Sequence, residues 1–118
     1  MKVLKIFLVF FVIGVLIGLF YQLNQPKQPI VILMKKDTFE PVAIQIKKGT
    51  KVIFKNEDTE SRWPASNLHP THGIYPEFDP TQPVEQGGQW SFVFEKTGNW
   101  KYHDHLLPSL RGVITVIQ

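Results

Sequence analysis

From Ile6 to Phe20 every residue is apolar or glycine. Water does not tolerate such a run on a domain surface, so about 20 residues are set aside before a fold is considered. Of the 118 residues, roughly 95 remain from Asn24 onward, enough for one small domain. That length excludes a large multidomain enzyme and a nucleotide-binding α/β fold with its own substrate domain.

Two lysines, Lys2 and Lys5, precede the apolar run. Leu4 to Leu23 supplies about 20 residues, roughly 30 Å of helix, enough to cross a bilayer core. No pair of small residues after Gly18 offers a cleavage site, so the segment reads as a retained anchor, with a cleaved signal as the alternative. Positive charge on the amino-terminal side keeps that end in the cytoplasm and sends the domain across. Tyr21 sits where an interfacial aromatic belongs, and Gly14 with Gly18 is a weak helix-pairing signal. The expected organisation is a transmembrane helix at 1–23, a tether at 24–29 stiffened by Pro26 and Pro29, and one domain at 30–118. The expected location is the cell membrane, single-pass, with the domain on the periplasmic or extracellular side.

Charge and cysteine content narrow the chemistry. The chain carries 13 Lys and Arg against 10 Asp and Glu. Two of the cations lie before the membrane segment, which leaves the domain nearly neutral and without a footprint for nucleic acid. Cysteine is absent. Disulfides, thiolate zinc sites, iron–sulfur clusters and a cysteine nucleophile are therefore excluded. No serine has the context of a hydrolase nucleophile.

Beyond the tether, short β-branched and aromatic runs at Ile30–Lys36, Val42–Lys48, Lys51–Asn56, Trp90–Glu95, Asn99–His103 and Val113–Gln118 predict strands. Val42, Ile44 and Ile46 alternate with Ala43, Gln45 and Lys47, and Trp90, Phe92 and Phe94 with Ser91, Val93 and Glu95, the period of half-buried strands. Several short strands separated by Gly-containing turns predict an all-β sandwich or barrel. Lys47, Lys48 and Lys51 read as a solvated edge. Trp90, Phe92, Phe94 and Trp100 read as core, and Pro108 with Gly112 as a turn. The stretch Arg62–Gln82 has four prolines and no period. A loop that long in a small domain is functional or disordered, and its aromatic content argues for order.

All four histidines fall in two clusters, His69-Pro-Thr-His72 and His103-Asp-His105. On an extended segment His-x-His puts both imidazoles on one face. Neutral imidazoles suit copper, zinc, nickel and iron. Asp104, Glu77 and Asp79 are nearby carboxylates that would add a ligand or accept a hydrogen bond from a ligand's far nitrogen. A single histidine in such a place is more often a hydrogen-bonded structural residue. Two ligand-spaced pairs with none elsewhere favour a metal site.

Phe39-Glu-Pro41, Ile44-Gln-Ile-Lys-Lys-Gly49, Val52-Ile-Phe54 and Asn56-Glu-Asp58 resemble the first half of a cupredoxin. Thr97-Gly-Asn-Trp-Lys-Tyr102 and Pro108-Ser-Leu-Arg-Gly-Val-Ile-Thr-Val116 resemble its second half. The resemblance implies a cupredoxin-like Greek-key β-sandwich over Ile30–Ile117. In blue members the ligands would fall near Trp63, Asp104, Leu107 and Leu110, and the cysteine they need is missing. A blue centre is excluded. Gly98-Asn-Trp-Lys-Tyr-His-Asp-His105 is similar to a His-x-His motif in the first domain of multicopper oxidases, with Leu68-His-Pro-Thr-His-Gly73 as a looser counterpart. That likeness implies copper ligation by His69, His72, His103 and His105. It also implies that a full multicopper cluster would need ligands from elsewhere, for example a homo-oligomer.

Three functions follow. The first is a membrane-tethered protein holding copper, or zinc, through histidines, for metal delivery or electron transfer to an extracytoplasmic redox or metal-transfer partner. The second is a metal-free interaction module with Trp63 and Tyr75 as anchors. The third is a small copper oxidoreductase using Asp104 or Glu77 as proton carrier.

Overall fold

A computed structural model describes residues 1–25 and 28–118. Helix α1 spans Lys2–Leu23 and ends at Asn24, whose N–H donates to the Phe20 carbonyl at 3.1 Å. Its 22 residues include no buried one, and at 1.5 Å per residue they extend about 33 Å. The helix is long and apolar enough to cross a membrane, a property shared by anchors and signal sequences. The expected tether at 24–29 includes positions 26 and 27, which lie outside the described residues.

The rest is a sandwich of two four-stranded mixed sheets, as the resemblance implied. The strands are β1 (Ile30–Met34), β2 (Phe39–Glu40), β3 (Ala43–Lys47), β4 (Thr50–Asn56), β5 (Pro64–Ser66), β6 (Gln89–Phe94), β7 (Gly98–Asp104) and β8 (Arg111–Ile117). One sheet runs β2-β1-β4-β6 and the other β3-β8-β7-β5. The β1–β4 and β3–β8 pairs are parallel, so the chain crosses between sheets instead of turning back on itself. Period-two burial is clean in β4, where Thr50, Val52, Phe54 and Asn56 are buried and alternate with more exposed residues. Between the sheets Phe39, Phe54, Phe78, Phe94 and Tyr102 pack with Ile32, Met34, Val52 and Ile114. Phe78 lies 5.4 Å from Tyr102 and 5.0 Å from Phe94, ring centre to ring centre. Trp90, Phe92 and Trp100 flank this core half-buried.

Two expectations are corrected here. The stretch Arg62–Gln82 is not all loop: β5 lies within it and pairs antiparallel with the end of β7. Three residues beginning at a proline are too few to show a period, and an edge position tolerates the missing N–H. Gly112 belongs to β8 and not to a turn. A Cβ there would sit 2.4 Å from the Tyr102 ring tip, so glycine is required by the tyrosine lying across it.

Candidate metal centre

The His103–His105 pair stands at the end of β7, and β5 and the segment after it bring the other pair to it. The pleat sends Tyr102 and Asp104 to one side of β7 and His103 to the other. The segment after β5 folds back over that second side. Ser66 N–H donates to the Phe78 carbonyl at 2.9 Å, Tyr75 N–H to Ser66 Oγ at 2.8 Å, and Ile74 N–H to the Asn67 carbonyl at 2.8 Å. Tyr75 and Phe78 are buried in the core. Sequestering these two aromatics, each a large apolar area, fixes a stretch that has no regular structure of its own. His69 and His72 ride on it.

The four imidazoles converge. One nitrogen from each of His69, His72, His103 and His105 lies within 4.8 Å of the other three. His69 Nδ1 is 3.2 Å from His103 Nε2, and His72 Nε2 is 3.0 Å from His105 Nδ1. Metal–imidazole bonds of about 2.0 Å place ligand nitrogens roughly 3 to 4 Å apart; the His69–His103 and His72–His105 pairs already have that spacing, and the four rings together could hold a metal ion. His72 and His103 are buried, His105 is half-buried and His69 is exposed. A cavity of about 240 Å³ lined by Asn67, Leu68, His69, His103, Pro108 and Arg111 opens beside the His69–His103 pair.

Burial, helped by the neighbouring His72, His69 and His105, lowers the His103 pKa to about 4. His105 is lowered as well, again by burial first and then by His72 and His69. His103 is thus neutral at neutral pH, the form in which imidazole donates to a metal, and His105 is shifted the same way.

The three candidate carboxylates have different surroundings, and the converging set contains none of them. Asp79 Oδ2 accepts from His72 Nδ1 at 2.6 Å, and its Oδ1 accepts from Trp63 Nε1 at 2.8 Å. Asp104 Oδ1 accepts from the Trp63 and Leu106 backbone N–H groups, and its Oδ2 lies 3.3 Å from Arg62 Nη1. It ties the scaffold together beneath the histidines. Glu77 is exposed and pairs with Lys96 at 3.2 Å.

Sequence reasoning missed Asn67, whose Oδ1 accepts from His103 Nδ1 at 3.0 Å. It also missed Arg62 as the buried cation between Asp58 and Asp104. Only their place within the stretch Arg62–Gln82 hinted at either. Trp63, placed by counting near a blue-copper ligand position, packs its ring 4.7 Å from that of His105. Tyr75 is 2% exposed, so it is not available as the surface anchor expected for an interaction module.

The chain matches the family model of the cupredoxin-like domain over residues 7–116. Among solved structures it is similar to an amicyanin variant in its reduced form (20% identity, TM-score 0.66), covering 80% of this chain and 87% of that one. It is similar to a purple cupredoxin from Nitrosopumilus maritimus (24% identity, TM-score 0.65), covering 75% and 99%. A copper-containing nitrite reductase from Thermus scotoductus SA-01 matches at 24% identity and TM-score 0.68, over 80% of this chain but 23% of the reductase. At these identities the likeness is one of fold. No curated protein matches the chain by sequence.

Proposed function

The chain belongs to the cupredoxin-like family, and from that premise we propose that it is a membrane-anchored, extracytoplasmic, non-blue copper protein that holds and hands over the metal. One observation carries the reading: four imidazole nitrogens within 4.8 Å of one another in a chain without a thiolate. His69, His72, His103 and His105 would hold the ion. Relatives support copper over other metals: an amicyanin variant is known in a Cu(I) form, and the nitrite reductase contains copper. When bound, copper would supply a one-electron couple biased towards Cu(II) by an all-nitrogen donor set. Residues 1–23 serve as anchor, 24–29 as tether and 30–118 as the metal-binding domain, with orientation set by Lys2 and Lys5.

Holding and delivery fit the uneven burial of the ligands. Exposed His69 offers a partner protein a ring to displace, while buried His72 and His103 retain the ion. Electron exchange with a membrane-bound partner is the second reading. It is favoured by the outer hydrogen bonds on His72 and His103, which fix the orientation of two of the four rings.

The test is titration of the full chain in detergent with Cu(II) and, separately, Zn(II). One copper bound per chain, absent from a folded His103→Ala/His105→Ala variant, is expected. Copper binding that survives in the double variant contradicts the reading. Tight stoichiometric zinc with weak copper would make this a zinc site. Reversible one-electron cycling without metal loss would move the role from delivery to electron transfer.

A further inference from the structure

The outer partners of the four histidines are unequal. His103 leans on a neutral amide and His72 on a carboxylate, and that carboxylate is held from three sides. Asp79 Oδ1 accepts from Trp63 Nε1 and from Thr81 N–H, both at 2.8 Å, while Oδ2 faces His72 Nδ1 at 2.6 Å. Backbone strain marks both ends of this link. His72 has φ 55° and Thr81 has φ 61°, the only non-glycine residues with positive φ among the described residues. A β-branched threonine there is a genuine outlier that persists only where its surroundings demand it.

We propose that Asp79 is a positioning residue that fixes the tautomer of His72, keeping the hydrogen on Nδ1 so that Nε2 presents its lone pair to the metal. The inference rests on the four-imidazole reading and adds to it the residue that makes His72 a competent ligand. The logic is one of donors and acceptors. Indole N–H and backbone N–H can only donate, so the Asp79 atom between Trp63 and Thr81 must be an acceptor. A carboxylate offers a second acceptor to His72, and a neutral imidazole then has no choice but to carry its hydrogen on Nδ1.

This arrangement makes an unusual prediction for the isosteric variant. In Asp79→Asn the amide oxygen must face Trp63 and Thr81, which turns the NH₂ group towards His72. The ring would then accept at Nδ1 and carry its hydrogen on Nε2, blocking the nitrogen that would bind. Asp79→Ala removes the acceptor and imposes neither tautomer. Asn should therefore harm binding more than Ala. A purely structural aspartate predicts the opposite order, since Asn preserves shape and Ala leaves a gap.

The experiment uses the full chain in detergent with ¹⁵N-labelled histidine. Long-range proton–nitrogen correlation on the metal-free protein at pH 8 reads the His72 tautomer, and a competition titration reads Cu(II) affinity. We expect Nδ1–H in the wild type and Nε2–H in Asp79→Asn. Loss of this outer partner should weaken Cu(II) binding by about 10- to 100-fold in the Asn variant, with a smaller loss in Asp79→Ala. An unchanged tautomer in Asp79→Asn, or Ala weaker than Asn, overturns the proposal. A wild type that binds no copper sinks the four-imidazole reading instead, and the tautomer comparison still decides the role of Asp79.

Discussion

Single residues in this domain are set by what lies across from them. Gly112 exists for Tyr102, and Gly112→Ala should cost about 1–3 kcal/mol through overpacking. A denaturant midpoint that does not fall would show that the ring can move aside. Tyr102 itself has a buried hydroxyl without a hydrogen-bond partner among the described residues, and burial pushes its pKa far up. Tyr102→Phe removes an unsatisfied group, so stability should rise by about 1 kcal/mol; a loss would mean the hydroxyl is satisfied. His103 gives a pH signature. Its folded pKa of about 4 lies below the ordinary 6.5, so between those values the unfolded chain binds a proton that the folded one refuses. Stability of the metal-free protein is then full above about pH 6.5 and falls towards pH 4. Chemical denaturation across that range checks it, and His103→Gln should flatten the slope.

At the scale of elements, the buried charge network ties the site to the sandwich. Arg62, just before β5, pairs with Asp58 after β4 and with Asp104 at the end of β7, and also donates to the Lys36 carbonyl at 3.0 Å. Arg62→Met would leave two carboxylates buried without their cation, and about 3–5 kcal/mol of stability should go. Thermal unfolding measures it, and an unchanged midpoint would mean that the acids find other partners. The long strands were legible in the sequence because β3, β4 and β6 show a period of two. β2 and β5 were not, because two and three residues cannot display one. The four candidate ligands were legible as two pairs, and for His103 and His105 so was the shared face, since His-x-His on a strand end puts both rings on one side. Their convergence was not. It depends on Tyr75 and Phe78 entering the core from an irregular segment and on the left-handed backbone of His72, and neither leaves a periodic trace. Asp79 was legible as one of three acids that would ligate or accept from a ligand's far nitrogen; that it is the one facing His72 was not, because Trp63 and Thr81 hold it there and neither is adjacent to it.

For the whole molecule, the account joins an apolar helix to a nearly neutral sandwich with a histidine site at one end. Without a strong charge of its own, the domain has little long-range steering, so encounter with a partner would depend on sharing a membrane. The anchored form should stay in the membrane fraction after alkaline carbonate washing, with protease reaching the domain only from the extracytoplasmic side. Release of an intact domain into the soluble fraction would show a cleaved signal instead. The most direct test of the central claim is pulsed electron paramagnetic resonance on the full chain loaded with one equivalent of Cu(II), counting the coordinated imidazoles. Four imidazole nitrogen donors and a non-blue spectrum are expected. Fewer than four imidazoles, or a spectrum unchanged when all four histidines are replaced by alanine, would contradict the four-histidine site.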